Sequence, residues 1–139
     1  KDGKPIDRIS SDNYKNHFTD IGINGQDTWI QSVVETALAN NIITDARDTF
    51  QPENSVTRAE AYAMIMASVC MKPESSGTTW QENIYTAAES AGLTTRTWAT
   101  FESESAIMRQ DLFVVASRAA DWAEKTGGCN PKPAECIAE

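Results

Sequence analysis

Histidine is almost absent from this chain of 139 residues, with His17 its one copy. A Ser-His or Cys-His catalytic arrangement would have to be built on that residue, and no G-x-S-x-G turn or strand-turn-helix context accompanies it. Long apolar runs are missing as well. The longest, Ala61 to Ala67, has seven residues against about 20 for a membrane span, so no membrane span is expected. Basic residues number 12 against 20 acidic ones, giving a net charge of −8, and they form no run. A nucleic-acid partner, which needs a basic face to neutralise phosphates, is excluded.

Cysteine is scarce, at three residues. Cys129 and Cys136 bracket the Pro-rich stretch CNPKPAEC and are read as a disulfide, which points to an oxidising compartment. Cys70 stands among apolar neighbours in MIMASVCM and is read as a buried, unreactive thiol. Two such cysteines and one distant histidine do not give zinc spacing, and Asp45 to Glu53 lacks the pattern of a calcium loop. Glu102 and Glu104 lie in an acidic loop and are read as solvated, not as an acid-base pair. No catalytic residue, metal or cofactor is expected. Lys1 opens the chain without an initiating Met or an apolar leader, so it reads as a mature or excised segment.

The composition that remains, 40% apolar and 23% charged, is that of a globular protein, and one compact domain is expected. A shift of 51 residues lays one half on the other without a gap. Trp29 falls on Trp80, Ala37 on Ala88, Phe50 on Phe101, Glu53 on Glu104 and Arg58 on Arg109, so the chain is a tandem repeat. Each unit holds a helix, a loop of about 15 residues pinned by its Phe (Phe50, Phe101) between the two helices, and a second helix.

Capping boxes mark three helix starts: Thr28 with Gln31, Thr79 with Glu82, and Thr57 with Glu60. Ile30, Val33, Val34, Ala37 and Leu38 form the apolar stripe of the first helix, and Trp80, Ile84, Ala87, Ala88 and Ala91 repeat it. Asn41 and Gly92 stand where a left-handed residue ends a helix. The helix beginning at Thr57 is apolar nearly all round and is read as the core. Its equivalent, about Met108 to Lys125, has Met where the capping Thr stood, with Ser105 as the substitute cap. The resulting division is a polar lead-in over 1–17, repeat one over 18–71, a linker over 72–78, repeat two over 79–126 and a tail over 127–139.

Phe18-Thr19-Asp20-Ile21, Thr28-Trp29, Ala39-Asn40-Asn41-Ile42-Ile43, Phe50-Gln51-Pro52-Glu53 and Val56-Thr57-Arg58-Ala59-Glu60 follow one another in an order that resembles the S-layer homology (SLH) domain. The second unit is similar but degenerate: it keeps Trp80, Phe101 and Arg109, lacks counterparts of Phe18 and Asp20, and has Met-Arg-Gln-Asp in place of Thr-Arg-Ala-Glu. The resemblance implies an all-α fold of tandem helix-loop-helix repeats packed as an SLH-type bundle. It also implies a non-catalytic module at the bacterial cell surface that binds an anionic, often pyruvylated, cell-wall polysaccharide. Three units usually pack together in that family. With two here, a further repeat or a homo-oligomer formed through the second helices is expected to complete the bundle.

The ligand residues expected on this basis are Arg58, Asp20, Trp29 and Arg109. Arg58 offers a five-donor fork beside the free amides of a helix start, where a ketal carboxylate would bind. Asp20 would accept sugar hydroxyls, and Trp29 would provide a face for a pyranose. Duller roles stay open beside these: Arg58 paired with a carboxylate of the adjacent unit, Asp20 capping a turn, Trp29 and Trp80 as core plugs. The alternative function is a structural or protein-interaction repeat that has lost sugar binding.

Overall fold

The computed structural model describes residues 8–22, 28–73 and 75–128. Among them the helices are Thr28–Ala39 (α1), Arg58–Ser68 (α2), Trp80–Ser90 (α3), Trp98–Phe101 (α4) and Arg109–Thr126 (α5), with a single 3-10 turn at Ser11–Asn13 and no strand. The fold is all-α. The chain divides into two compact units, Lys1–Asn54 and Ser55–Glu139, where one domain was expected.

Each helix end follows from its residues. At α2, the Thr57 hydroxyl accepts from Glu60 N at 3.3 Å and the Glu60 carboxylate accepts from Thr57 N at 3.0 Å, a complete capping box. Replacing Thr57 by Ala removes one arm and should lower the unfolding free energy by about 1 kcal/mol, read as a drop in the urea midpoint. At α3, Thr79 accepts from Glu82 N at 3.2 Å, but Glu82 reaches one residue further back and takes both the amide and the hydroxyl of Thr78. At α1, Gln31 donates to Asn16 Oδ1 at 2.8 Å, while the side chain of Thr28 lies outside the described residues. Helix α5 has Met108 as its N-cap and no side-chain cap. Ser105 does not substitute: its amide closes a turn onto Glu102 O, and its carbonyl accepts from Arg58 N.

The 51-residue repeat is visible in the backbone. Asn41 (φ 53°) and Gly92 (φ 71°) both take the left-handed conformation that ends a helix, with Ile42 N bonding back to Ala37 O and Leu93 N to Ala88 O. Gln51 and Glu102 also share positive φ, each accepting from the amide three residues on. A third helix stops the same way at α2, where Cys70 has φ 57° and Met71 N bonds to Met66 O.

In the first unit Phe18, Ile21, Val34 and Leu38 form the core, with Phe50 packed on it. The stripe of α1 is turned from its expected setting: Val33 is exposed, while Glu35 and Thr36 are buried. In the second unit α2 packs on α3 and α5, and Tyr62, Met66, Ile84, Tyr85, Leu93, Phe101 and Val115 share one core. Phe101, fully buried, stands edge-on to Tyr62 of α2 and Tyr85 of α3, with centroids at 5.1 and 5.3 Å. The wedge expected between the two helices of its own repeat thus also engages the second helix of the repeat before. It is carried on α4, a short helix where only loop was expected.

Cys70 is disulfide-bonded, which corrects its reading as a free thiol. Cys129 and Cys136 lie outside the described residues.

Candidate functional site

Arg58 opens α2, yet its guanidinium does not face a crevice. Nη1 donates to Asp111 Oδ2 at 2.8 Å, and Arg96 Nη2 approaches the same oxygen at 3.4 Å. The Arg58 side chain is 5% exposed and that of Asp111 25%. The buried Nε has no hydrogen-bond partner. The amides of the first turn are taken too. Arg58 N donates to Ser105 O at 2.8 Å, Ala59 N to Ser103 O at 3.0 Å and Glu60 N to the Thr57 hydroxyl, beside an antiparallel bridge between Thr57 and Ala106.

The expectation of an exposed anion clamp at Arg58 is therefore corrected, because the loop before α5 covers the helix start and Asp111, in the first turn of α5, supplies the counter-charge. The alternative, pairing with a carboxylate of the adjacent repeat, is what the geometry gives. The Arg58 hydrogen bond lowers the pKa of Asp111; burial opposes it, and the positive charges of Arg58 and Arg96 add to the lowering.

Asp20 spends its carboxylate on the backbone. Oδ1 accepts from Phe50 N at 2.8 Å and Oδ2 from Gln51 N at 2.7 Å, fixing the loop that carries Phe50 into the core. Burial raises its pKa, but these amide bonds outweigh that and hold the carboxyl below its ordinary value of 3.8. Asp20 acts here as a loop tie.

The tryptophans behave differently. Trp29 is 67% exposed and Trp80 49% exposed, each in the first turn of its helix and at equivalent positions of the two repeats. Neither is a core plug. Large indole faces left in water at matched positions are an uncommon use of the residue type most valuable to a core. Arg109, equivalent to Arg58, is exposed in the first turn of α5. Trp29 and Asp20 belong to the first unit, and Arg58, Arg109 and Trp80 to the second. Among the described residues no group of His, Cys, Asp and Glu is set to hold a metal.

Two residues that shape these surroundings have no distinct pattern in the sequence. Glu35 is buried and accepts from Lys15 N and Asn16 N, both at 2.8 Å, tying the lead-in to α1. Asp111 has one signal, since the 51-residue shift sets it on Glu60; its partner Arg58 lies 53 residues away in sequence.

The S-layer homology domain model matches residues 17–61. Over 116 residues, 76% of the chain, the sequence is 30% identical to an amylopullulanase of Thermoanaerobacterium thermosulfurigenes. Over 111 residues, 73% of the chain, it is 29% identical to exoglucanase XynX of Acetivibrio thermocellus. These matches span only 6% and 10% of the two relatives. No solved structure matches. Residues 17–61 thus match the S-layer homology domain, which is typically a cell-wall anchoring module.

Proposed function

We propose that this chain is a non-catalytic anchoring module that binds an anionic polysaccharide of the bacterial cell wall. Each unit makes its own sugar contact through an exposed indole, Trp29 at the head of α1 and Trp80 at the head of α3, and the second unit adds Arg109 as an accessible cation. The observation that carries this reading is the matched exposure of Trp29 and Trp80. An indole face covers the apolar C–H face of a pyranose, and a guanidinium pairs with a ketal carboxylate. Arg58 supports the site as scaffold through Asp111. The net charge of −8 does not forbid an anionic ligand, since exposed charges are screened beyond about 8 Å at physiological salt.

Sedimentation with purified walls of Thermoanaerobacterium thermosulfurigenes and Acetivibrio thermocellus tests it. The chain should pellet with at least one of them. The Trp29→Ala/Trp80→Ala variant, with circular dichroism unchanged, should stay in solution, and Arg109→Ala should weaken binding and flatten its salt dependence. A chain that remains in the supernatant over both walls overturns the reading.

One observation favours a second reading as a protein-interaction module. Helix α5 leaves Leu112, Phe113 and Val114 exposed, Phe113 at 68%, next to exposed Met108. Apolar side chains gathered in that way mark contact surfaces, and self-association through α5 is the expected outcome. Light scattering should show a mass above that of one chain as concentration rises, reverting on Phe113→Glu; a strict monomer at millimolar concentration removes it.

A further inference from the structure

Helix α5 turns Val115 and Ala119 into the core of the second unit. On another side of the same helix Arg109, Phe113, Ala116, Ser117, Ala120 and Glu124 are all exposed. Their spacing of i, i+4, i+7, i+8, i+11 and i+15 gathers them, at about 100° per residue, into a single stripe. At about 1.5 Å of rise per residue the stripe is roughly 22 Å long. Its largest apolar group, the Phe113 ring, stands 68% exposed. Arg109 and Glu124 hold its two ends, and among the described residues neither enters an ion pair.

The stripe is complementary to its own reverse. When two copies run antiparallel about a two-fold axis between Ala116 and Ser117, Arg109 meets Glu124, Phe113 meets Ala120 and Ala116 meets Ser117. Each of these pairs is made twice, as the symmetry of an isologous contact requires. Opposite charges then face each other at both ends, and a large ring lies over a methyl group. Alanine and serine at the crossing let the helix axes approach to about 8 Å, the close end of the usual range, which brings Phe113 onto the partner's Ala120. A parallel pairing does none of this. It sets Arg109 on Arg109 and Glu124 on Glu124, a like-charge arrangement that selects against it.

We propose that this face of α5 is the seat of a second copy of the chain, packed antiparallel on it. The proposal rests on the reading of α5 as a contact surface and supplies the partner and its orientation. A guanidinium has five donors and a bidentate carboxylate takes two of them, so pairing with Glu124 leaves Arg109 able to meet a sugar acid as well. One helix face is small against the roughly 800 Å² per partner of a standard interface. The dimer is accordingly weak and forms as concentration rises.

Sedimentation velocity on the full chain over a concentration series tests it by charge exchange. Arg109→Glu sets a carboxylate against Glu124 at both ends, and Glu124→Arg sets a guanidinium against Arg109. Each variant alone should dissociate with a constant raised roughly tenfold or more. Both changes suit the dipole of α5, an acid at its start and a base at its end, so the helix is kept. An equimolar mixture of the two variants restores opposite charges at both ends and should dimerise like wild type. A mixture no tighter than its components, while wild type still associates and Phe113→Glu reverses it, overturns the proposal and leaves α5 as a contact surface. A wild-type chain that stays monomeric at millimolar concentration leaves this face to a different protein, and overturns the proposal together with the self-association reading.

Discussion

Phe101→Ala is expected to lower the unfolding free energy of the second unit by about 3–5 kcal/mol, the range for truncating a fully buried aromatic ring. The ring has no solvent exposure and touches Tyr62, Tyr85 and Trp98, so its loss leaves a cavity lined by three aromatics and also forfeits two edge-to-face contacts. A whole domain is stable by only about 5–15 kcal/mol. The variant should therefore show a large fall in urea midpoint and a loss of near-ultraviolet dichroism from the aromatic cluster. Phe101→Leu, which fills much of the volume, should recover about half of the loss. A drop under about 1 kcal/mol for the Ala variant would mean that the surrounding helices collapse onto the space.

Asp111→Ala should destabilise by a similar amount, toward the lower end of about 3–5 kcal/mol because the carboxylate is partly exposed. The cause is what remains: the buried guanidinium of Arg58 loses its counter-ion, and Arg96 stays nearby without one. Replacing both partners, as in Arg58→Met/Asp111→Leu, should cost clearly less than the single change, since the stranded charge is gone. The pair also sets the acid limb of stability. Asp111 and Asp20 both titrate below the ordinary 3.8 in the folded chain. Their contribution is complete above that unfolded-state value and is lost as pH falls through the lower folded values. The urea midpoint should be level above about pH 5 and drop on going toward pH 3, and Asp111→Ala should flatten that drop. A midpoint equally low in the single and double variants would refute the stranded-charge account.

The repeat was legible because it is written in local chemistry. Thr57 and Glu60 can satisfy each other only as a helix start, and Asn41 and Gly92 stand where the backbone must turn left-handed; the backbone follows. The apolar face of α3 was readable from spacing at Ile84 and Ala88, whereas Trp80, read as the head of that stripe, is exposed and Tyr85 is buried in its place. The fate of Arg58 was not readable, because the carbonyls of Ser103 and Ser105 that take its helix-start amides come from a loop, and the carboxylate that takes its charge from the first turn of α5, about 50 residues on. No local pattern announces that a helix terminus will be covered. Asp20 illustrates the same limit: its type suits a sugar hydroxyl and a backbone amide equally, and only the position of the 50–51 peptide decides between them. The Cys70 bridge escaped for a different reason, since apolar neighbours in sequence suggest a quiet thiol and carry no sign of a bond to it.

The antiparallel bridge between Thr57 and Ala106 joins α2 to the repeat that follows it. Genetic duplication and mechanical integrity thus have different borders in this chain. A fragment for expression cut inside the 72–78 linker would sever α2 from the helices it packs on, whereas one beginning at Ser55 keeps that core whole. Exchanging such modules between proteins should accordingly succeed when the splice precedes the Thr-Arg-Ala-Glu helix and fail when it follows.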